Sequence, residues 1–307
     1  MRHMTVTVIH DSAVSWRKIA QQIRHVLNMY CERGSGCIYV GSLTIARPEF
    51  TRCSRIVLYL DVPSLAPTLV KHAYTHVKSR SIVIANSRLV ATLLEKYYNI
   101  HVDDIVPHGI DSTLIRNMLN SLLDTAKDYD TMYIGNTVRE GIDMYIQLVS
   151  KLRNMRHLVF TGRRDIARYV PQNVTVDTRY GTLSEAQLCR LYASSRCLVV
   201  TSRYEGFCLP VIEAAACGTN VVVPACPPYN EHSIPHKYYY PAEMDIDRPV
   251  RHIDGTYPTA VYNIDDVAKV VNVAVRHRPT LQDVAHVLDR YDYVKLYRRI
   301  VEYVCKR

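Results

Sequence analysis

Two glutamates frame a turn and a short apolar helix in the second half of the chain. In the stretch RYEGFCLPVIEAAACGTNVVVP, residues 203–224, Glu205 and Glu213 are the only acidic residues and stand eight positions apart. Pro210 suits the first helical position and Gly218 suits the left-handed residue just past a helix end. LPVIEAAACG is therefore predicted to be a helix, with both carboxylates close to its positive N-terminal end.

The residues between the two glutamates predict an anion site. Gly206 lets the backbone approach a ligand closely, and the amides of the turn converge on the helix start, which suits phosphate. The turn consists of Gly206, Phe207, Cys208 and Leu209. Glu205 then accepts hydrogen bonds from hydroxyls on one side of the phosphate and Glu213 from hydroxyls on the other, as a nucleotide sugar would supply. The alternative is that both acids only compensate the helix dipole, worth ~0.3 to 1 kcal/mol each.

The rest of the chain predicts the elements that hold this turn. Short runs rich in Val and Ile alternate with stretches of helical period, which is typical of a parallel sheet wound with helices. The first series is TVTVIH, CIYVG, RIVLYL, SIVIANS and DIVPHG, and the second is TMYIG, HLVFTG, VTVDTR, CLVVTS and NVVVP. We therefore expect an α/β protein with two facing Rossmann-like domains. Ligands would bind in the interdomain cleft, at the carboxyl ends of the strands.

The predicted domains follow from these two series. An N-terminal Rossmann-like domain is expected over 1–112 and a second one, which holds the predicted nucleotide-sugar site, over 113–290. Residues 291–307 are expected to form a packed helix, and a return to the N-terminal domain is one arrangement for it. The amphipathic helix predicted over 16–31 has basic residues beside its apolar stripe, and this favours packing on the sheet over lying on a membrane.

Composition narrows the classes of partner. The net charge of +9 over 307 residues favours nucleic acid, acidic lipid or phosphate-bearing small molecules. No apolar run approaches the ~18 residues of a membrane span, so we expect a cytoplasmic protein, with peripheral contact with an anionic membrane as a further expectation. The nine cysteines include no CxxC pair, so neither a zinc site nor a redox motif is predicted. Buried free thiols are expected, with disulfide pairing left open.

One long segment resembles a known family. SEAQLCRLYASSRCLVVTSRYEGFCLPVIEAAACGTNVVVP, residues 184–224, is similar to the signature segment of the retaining nucleotide-sugar glycosyltransferases of family 4, the group 1 enzymes with a GT-B fold. Residues 84–111, residues 132–152 and LVFTGRRD match further segments of that family in the same order. Together the matches cover most of residues 81–224.

The resemblance implies a retaining transfer of a sugar from a UDP- or GDP-linked donor to a glycan, lipid or protein acceptor, without cofactor or metal. Glu205 would be a catalytic residue that holds the donor sugar near its reacting carbon. Glu213 would bind the ribose hydroxyls, and the turn 206–209 the diphosphate. Tyr180 stands where the family meets the nucleobase, with a core aromatic as the alternative. Gly135 and Gly162 complete the donor-binding set.

The chain departs from the family where its second domain opens. The family has a Gly-Arg-Leu stretch and then Lys-Gly, whose two cations neutralise the diphosphate leaving group. Here GNTVREG, residues 135–141, has Asn136 and Glu140 at those positions. A departing diphosphate needs counter-charge, and Arg139 is the first catalytic candidate for it, with Arg163 the second. The alternative for both is solvated surface.

The N-terminal domain contains fewer candidate site residues than the second domain. The family often places a His or an acid near the reacting carbon, and Asp61, His10 and His108 are the acceptor-side candidates, with His108 in a matched segment. HDSAVSW stands where the family has a glycine-rich loop. The pairs at 103–104 and 265–266 are aspartates without a D-x-D strand end, so no catalytic metal is predicted.

A second function is compatible with the same residues. A non-catalytic nucleotide-sugar or nucleic-acid binder on a GT-B scaffold would explain both the altered cation pair and the basic charge. The sequence has no recognisable nucleic-acid module, so no specific nucleic acid is expected.

Overall fold

The computed structural model describes residues 5–32, 34–44, 47–62, 64–253 and 255–305 of the 307-residue chain. It divides into two compact units. The first unit consists of residues 1–109 and 291–307, and the second of residues 110–290. Over these described ranges, the first unit has a parallel sheet of five strands and the second a parallel sheet of six.

The sheet of the first unit has its strands in chain order. They are β1 (Thr5–His10), β2 (Ser35–Gly41), β3 (Ile56–Leu60), β4 (Ser81–Ala85) and β5 (Asp104–Ile105). Every residue of the central strand β3 is buried, as expected for a parallel sheet covered on both faces. The helices between these strands are α1 (Val14–Tyr30), α2 (Pro67–Thr75) and α3 (Arg88–Tyr98).

In the sheet of the second unit all six strands are parallel, and the order in which the chain adds them reverses in the middle. Its strands are β6 (Tyr129–Ile134), β7 (His157–Phe160), β8 (Val174–Asp177), β9 (Ser195–Val199), β10 (Asn220–Pro224) and β11 (Lys237–Tyr240). Their spatial order is β11-β10-β9-β6-β7-β8. The chain therefore winds outward from β6 on one side and from β9 on the other.

Six α-helices lie among the described residues of the second unit. They are α4 (Ser112–Leu123), α5 (Ile142–Lys151), α6 (Glu185–Ala193), α7 (Leu209–Ala216), α8 (Ile264–Ala274) and α9 (Leu281–Arg290). Between β11 and α8 the chain forms two antiparallel pairs of short strands. These are β12 (Glu243–Met244) with β15 (Ala260–Val261), and β13 (Val250–His252) with β14 (Gly255–Tyr257). The sequence predicted neither these pairs nor β11.

The last helix, α10 (Tyr293–Glu302), lies in the first unit and packs against α1. One core joins the apolar stripes of both helices to one face of the sheet, and it includes Ile19, Ile23, Val26, Ile38, Val57, Tyr297, Ile300 and Val301. The predicted packing of the basic amphipathic helix on the sheet is confirmed. Over the described ranges, no helix combines the length and the apolar character needed to cross a bilayer.

Four of the nine cysteines form disulfides, Cys31–Cys305 and Cys37–Cys53. The expectation of free thiols is thus wrong for these four and holds for the other five, which are buried. The reason is tertiary: α10 returns to α1 and brings Cys305 to 5.5 Å, between Cα atoms, from Cys31.

Thiol titration tests this pairing. We expect denatured, unreduced protein to show five reactive thiols and reduced protein nine. Loop-closure entropy gives Cys31–Cys305, whose partners are 274 positions apart, a stabilising effect of about 5 kcal/mol. Cys305→Ser should therefore lower the free energy of unfolding more than Cys53→Ser, whose bond spans 16 positions. Nine reactive thiols before reduction would contradict the pairing.

Candidate functional site

The predicted donor-site residues of the second unit lie around the point where its strand order reverses. β6 and β9 are hydrogen-bonded neighbours, with Met132 opposite Leu198. The turn 135–141 leads from β6 into α5, and the loop 200–208 leads from β9 into α7. Open α/β sheets bind ligands at the carboxyl ends of their strands at such a reversal.

The turn and the loop are in direct contact. Gly141 has φ +76°, and a Cβ there would collide with the carbonyl oxygen of Thr201. The Thr201 hydroxyl donates to the Gly141 carbonyl at 2.8 Å, and the Arg203 amide donates to the Arg139 carbonyl at 2.8 Å. The Arg203 guanidinium adds a bidentate pair with Asp143 at 2.8 and 2.6 Å. Only glycine at position 141 permits this approach.

This contact brings together the two residues predicted to be catalytic. Arg139 Nη1 lies 3.2 Å from Glu205 Oε2 and donates to the Tyr204 carbonyl at 2.9 Å. Its Nη2 lies 3.6 Å from Glu140 Oε1. The side chains of Arg139, Glu140 and Glu205 are 19%, 19% and 18% exposed, so the pair is partly shielded from water. The guanidinium therefore lies between two carboxylates at the edge of the site.

The two residues that replace the family's cations both bind backbone. Glu140 Oε2 accepts from the amides of Asn136 and Thr137 at 2.6 and 2.9 Å, and the Glu140 amide donates to the Thr137 hydroxyl at 3.2 Å. These are the reciprocal bonds of a capping box, but here they close the turn 137–140 that precedes α5, whose own N-cap residue is Gly141. The T-x-x-E pattern at 137–140 that signals them was missed in the sequence. Asn136 Oδ1 accepts from the Gly162 amide at 2.6 Å and so ties the turn to the loop after β7.

A buried histidine, His232, holds the backbone at the start of α7. Cys208, the residue before the helix, has φ 66° and ψ 69°, a left-handed conformation uncommon outside glycine. The preceding carbonyl, of Phe207, accepts from His232 Nε2 at 2.7 Å, and the two rings pack edge to face at 4.7 Å. Lys237 Nζ donates to the carbonyls of Tyr229, at 3.0 Å, and His232. Strained backbone held in this way is found at ligand sites.

Glu213 lies on the second turn of α7 and is buried, with 8% of its surface exposed. Its Oε2 accepts from the Tyr192 hydroxyl of α6 at 3.0 Å. The sequence did not predict Tyr192 as a partner, because only the packing of α6 on α7 brings the two side chains together.

Tyr180 lies close enough to the charged residues of the candidate site for them to shift its pKa. Its ring packs against Phe160 with 5.6 Å between centroids. Burial, together with three nearby carboxylates and against one guanidinium, raises the pKa of Tyr180 to about 12. Those groups belong to Glu140, Glu205, Glu213 and Arg139. The five side chains thus occupy one region of the second unit.

The other donor-side candidates have local structural roles. A Cβ at Gly135, whose φ is +156°, would lie 2.5 Å from the Tyr133 hydroxyl oxygen. The Gly162 amide is bound by Asn136, as described above. Arg163 forms a bidentate pair with Asp165 at 3.2 and 2.5 Å and is 40% exposed. Of the two candidate cations, Arg139 is therefore the one that contacts Glu205.

The acceptor-side candidates lie in the first unit. His108 is buried; its Nδ1 lies 2.8 Å from the Tyr59 hydroxyl and its Nε2 3.2 Å from Asn86 Nδ2. Since Tyr59 donates to a backbone carbonyl, this network is satisfied by a neutral His108 that carries its proton on Nδ1. His10 contacts the carbonyl of the next residue at 2.7 Å, and Asp61 accepts from the following amide at 2.8 Å.

The aspartate pairs take part in local interactions. Asp104 pairs with Arg299, Asp265 with Lys151 at 2.7 Å, and Asp266 with Lys269 at 2.8 Å, while Asp103 accepts from the backbone amide of Val83. Among the described residues, no three His, Cys, Asp or Glu side chains are grouped as a metal site requires.

Comparison with known proteins gives a family match in the second unit. Residues 128–241 match the family model described as "Glycosyl transferases group 1". An uncharacterized glycosyltransferase 335 of Sulfolobus islandicus rod-shaped virus 1 is 27% identical over 167 residues, which cover 48% of this chain and 49% of that protein. The chain thus spans about half the length of this curated relative.

Solved structures match nearly the whole chain. AviGT4, a glycosyltransferase involved in avilamycin A biosynthesis, is 14% identical with a TM-score of 0.57 over 98% of this chain and 97% of AviGT4. The pneumococcal O-GlcNAc transferase GtfA, solved with UDP and GlcNAc, is 13% identical with a TM-score of 0.57 over 93% and 60% of the two chains. At these identities the likeness establishes the fold alone.

The solved structures show the fold of the chain, and the family match covers one segment of its second unit. The chain is an α/β protein with the GT-B fold, as the sequence predicted. Residues 128–241, which include Arg139, Glu205 and Glu213, match the group 1 glycosyltransferase family model, and the predicted resemblance is confirmed for this segment. Membership of family 4 and a retaining outcome stay predictions.

The support beneath α7 predicts a pH dependence of stability. His236 is a second buried histidine at this helix, and its Nε2 lies 3.2 Å from the Ala215 carbonyl of α7. Burial lowers the pKa of His232 and of His236 from 6.5 to about 4, so between these values the unfolded chain binds more protons than the folded one. The free energy of unfolding should be highest above pH 6.5 and should fall toward pH 4, by at most about 1.4 kcal/mol per pH unit for each histidine.

Urea unfolding between about pH 7 and about pH 5 checks this dependence. His232→Gln keeps an N–H donor without the titration and should show a shallower fall than the wild type. His101→Gln, at a histidine 82% exposed, is the matched control and should leave the slope unchanged. Equal slopes in all three proteins would contradict the assignment.

Proposed function

We propose that the chain transfers a glycosyl group from a nucleoside-diphosphate sugar, with UDP or GDP as the nucleotide, to an acceptor hydroxyl, with retention at the anomeric carbon. The observation that carries the proposal is the contact between Arg139 and Glu205 beside the start of α7, with Glu213 one turn further along the helix. A cation, a helix start and two carboxylates are the groups that a sugar diphosphate needs.

Each part of the donor has a partner in this proposal. Glu205 accepts from the sugar hydroxyls near the reacting carbon, and the backbone at the start of α7 receives the diphosphate. Glu213 accepts from the ribose hydroxyls, next to the Tyr192 hydroxyl that it already binds. Tyr180 offers an aromatic face to the nucleobase. The pneumococcal relative solved with UDP and GlcNAc supports a donor of this kind.

The proposed step breaks the bond between the anomeric carbon and the phosphate oxygen. The acceptor oxygen forms its bond to that carbon on the same face, and the departing phosphate oxygen takes the acceptor proton. No strong protein base is then needed. Negative charge grows on the diphosphate as the bond breaks, and Arg139 stabilises that charge.

The acceptor is proposed to be a hydroxyl of a glycan, lipid or protein. The chain itself is proposed to act in the cytoplasm, with peripheral contact with an anionic membrane. The apolar stripe of α1 is buried in the first unit, so membrane contact would rely on its exposed basic side chains, such as Arg17 and Arg24, and on anionic lipid.

A non-catalytic nucleotide-sugar binder is the second candidate. It is favoured by one observation: both residues at the family's cation positions, Asn136 and Glu140, bind backbone. Donor binding without donor cleavage would support this candidate.

Donor binding tests the role of Glu213. Calorimetry with UDP- and GDP-sugars should show binding that Glu213→Ala weakens by about 10- to 100-fold, because a carboxylate that accepts from hydroxyls contributes about 1.5 to 3 kcal/mol. Glu213→Gln keeps an acceptor for Tyr192, so its donor affinity should lie between those of the wild type and Glu213→Ala. Glu243→Ala, at an exposed residue of β12, is the control. Undiminished affinity in Glu213→Ala would remove its ribose role.

Turnover tests the counter-charge. Arg139→Ala should lower the rate of donor cleavage by about 100-fold, as the loss of one stabilising donor does at comparable sites. Arg163→Ala, which breaks only the exposed pair with Asp165, should change the rate by less than about threefold. Single-turnover measurement at saturating donor separates this effect from affinity. Equal losses in both variants would exclude Arg139 as the specific counter-charge.

A further inference from the structure

Glu140 makes more contacts than a capping box requires. A capping box needs one carboxylate oxygen at one backbone amide, yet Glu140 Oε2 accepts from the Asn136 amide at 2.6 Å, the Thr137 amide at 2.9 Å and the Thr137 hydroxyl at 3.2 Å. Two consecutive amides and a hydroxyl around one anionic oxygen are the donors that a phosphate oxygen meets in a strand-to-helix turn. The carboxylate therefore fills an anion-binding turn with an anion of the protein itself.

The same carboxylate also interacts with the cation of the site. Its second oxygen, Oε1, lies 3.6 Å from Arg139 Nη2, while Arg139 Nη1 faces Glu205 at 3.2 Å. The charge of Arg139 is therefore divided between two carboxylates. An incoming diphosphate brings further negative charge to a partly shielded region, where like charges repel more strongly than in bulk water.

We infer that Glu140 is an internal competitor of the donor diphosphate and thereby sets the affinity of the site for its donor. This inference rests on the proposed function. Glu140 acts through Arg139 and the turn 136–137 and is a positioning residue, since the donor replaces its contacts and does not bind it. Where the family has a lysine that attracts the diphosphate, this chain has a carboxylate that holds the same region until the donor arrives.

Neutralising Glu140 while keeping the cap separates this role from a structural one. Glutamine also closes a capping box, so Glu140→Gln keeps an acceptor for the amides of the turn and removes only the charge. A competitor role predicts that Glu140→Gln binds UDP and GDP about tenfold more tightly than the wild type does. A capping role alone predicts unchanged affinity. Thr137→Ala, which weakens the cap and leaves the charge, should lower the thermal midpoint without tightening the binding.

The experiment is calorimetry of UDP, GDP and inorganic pyrophosphate on the full chain, paired with thermal unfolding of each variant. Glu140→Ala removes both cap and charge, so it should be less stable and still bind more tightly per folded molecule. This variant keeps the test open if Glu140→Gln does not fold. Glu243→Gln, at an exposed glutamate, is the charge-matched control and should bind like the wild type.

The outcomes distinguish the inference from the function beneath it. Tighter binding in both Glu140 variants supports the competitor role. Equal or weaker binding in the folded variants overturns it, while the wild type's own binding leaves the proposed function intact. If neither nucleotide nor pyrophosphate binds the wild type or any variant, the proposed function fails and the inference fails with it.

Discussion

The candidate site of the second unit depends on the close approach of two backbone segments at the point where the strand order of the sheet reverses. Gly141 lies against the carbonyl of Thr201 at a distance that no other residue permits, and the Thr201 hydroxyl bonds back to Gly141. This approach joins the turn after β6 to the loop after β9. Arg139 can reach Glu205 only because the two segments are joined. The geometry of the candidate site therefore depends on one glycine, the residue that precedes α5.

The polar groups of the site are held by the structure around them. Arg139 is fixed by a carbonyl and two carboxylates, Glu213 by a tyrosine, and the start of α7 by a neutral histidine. A phosphate-binding site needs its donors and charges in place before the ligand arrives, since reorganising them during the reaction raises the barrier. The site departs in charge from the family that the sequence resembles, because Glu140 supplies a negative group where that family has a positive one.

Much of the fold could be predicted from the sequence, because Val- and Ile-rich runs mark buried parallel strands in both units. β11 was not predicted because its residues, Lys-Tyr-Tyr-Tyr, include no Val or Ile, although it forms a regular parallel pair with β10. The two glutamates and the helix that contains Glu213 were predicted from local spacing. The contact of Glu213 with Tyr192 was not, since it depends on how α6 packs against α7. The pairing of Cys31 with Cys305 was beyond sequence reasoning for the same reason, because only the folded chain brings them together.

The position of α10 makes the first unit discontinuous in sequence, with the whole of the second unit inserted between its parts. Ribosomes make the chain from the N-terminus, so β1 to β5 emerge long before the helix that covers one face of their sheet. During synthesis the apolar stripe of α1 therefore lacks its contacts with α10 until the inserted unit has been made. The unit that begins first along the chain is thus the one that finishes folding last.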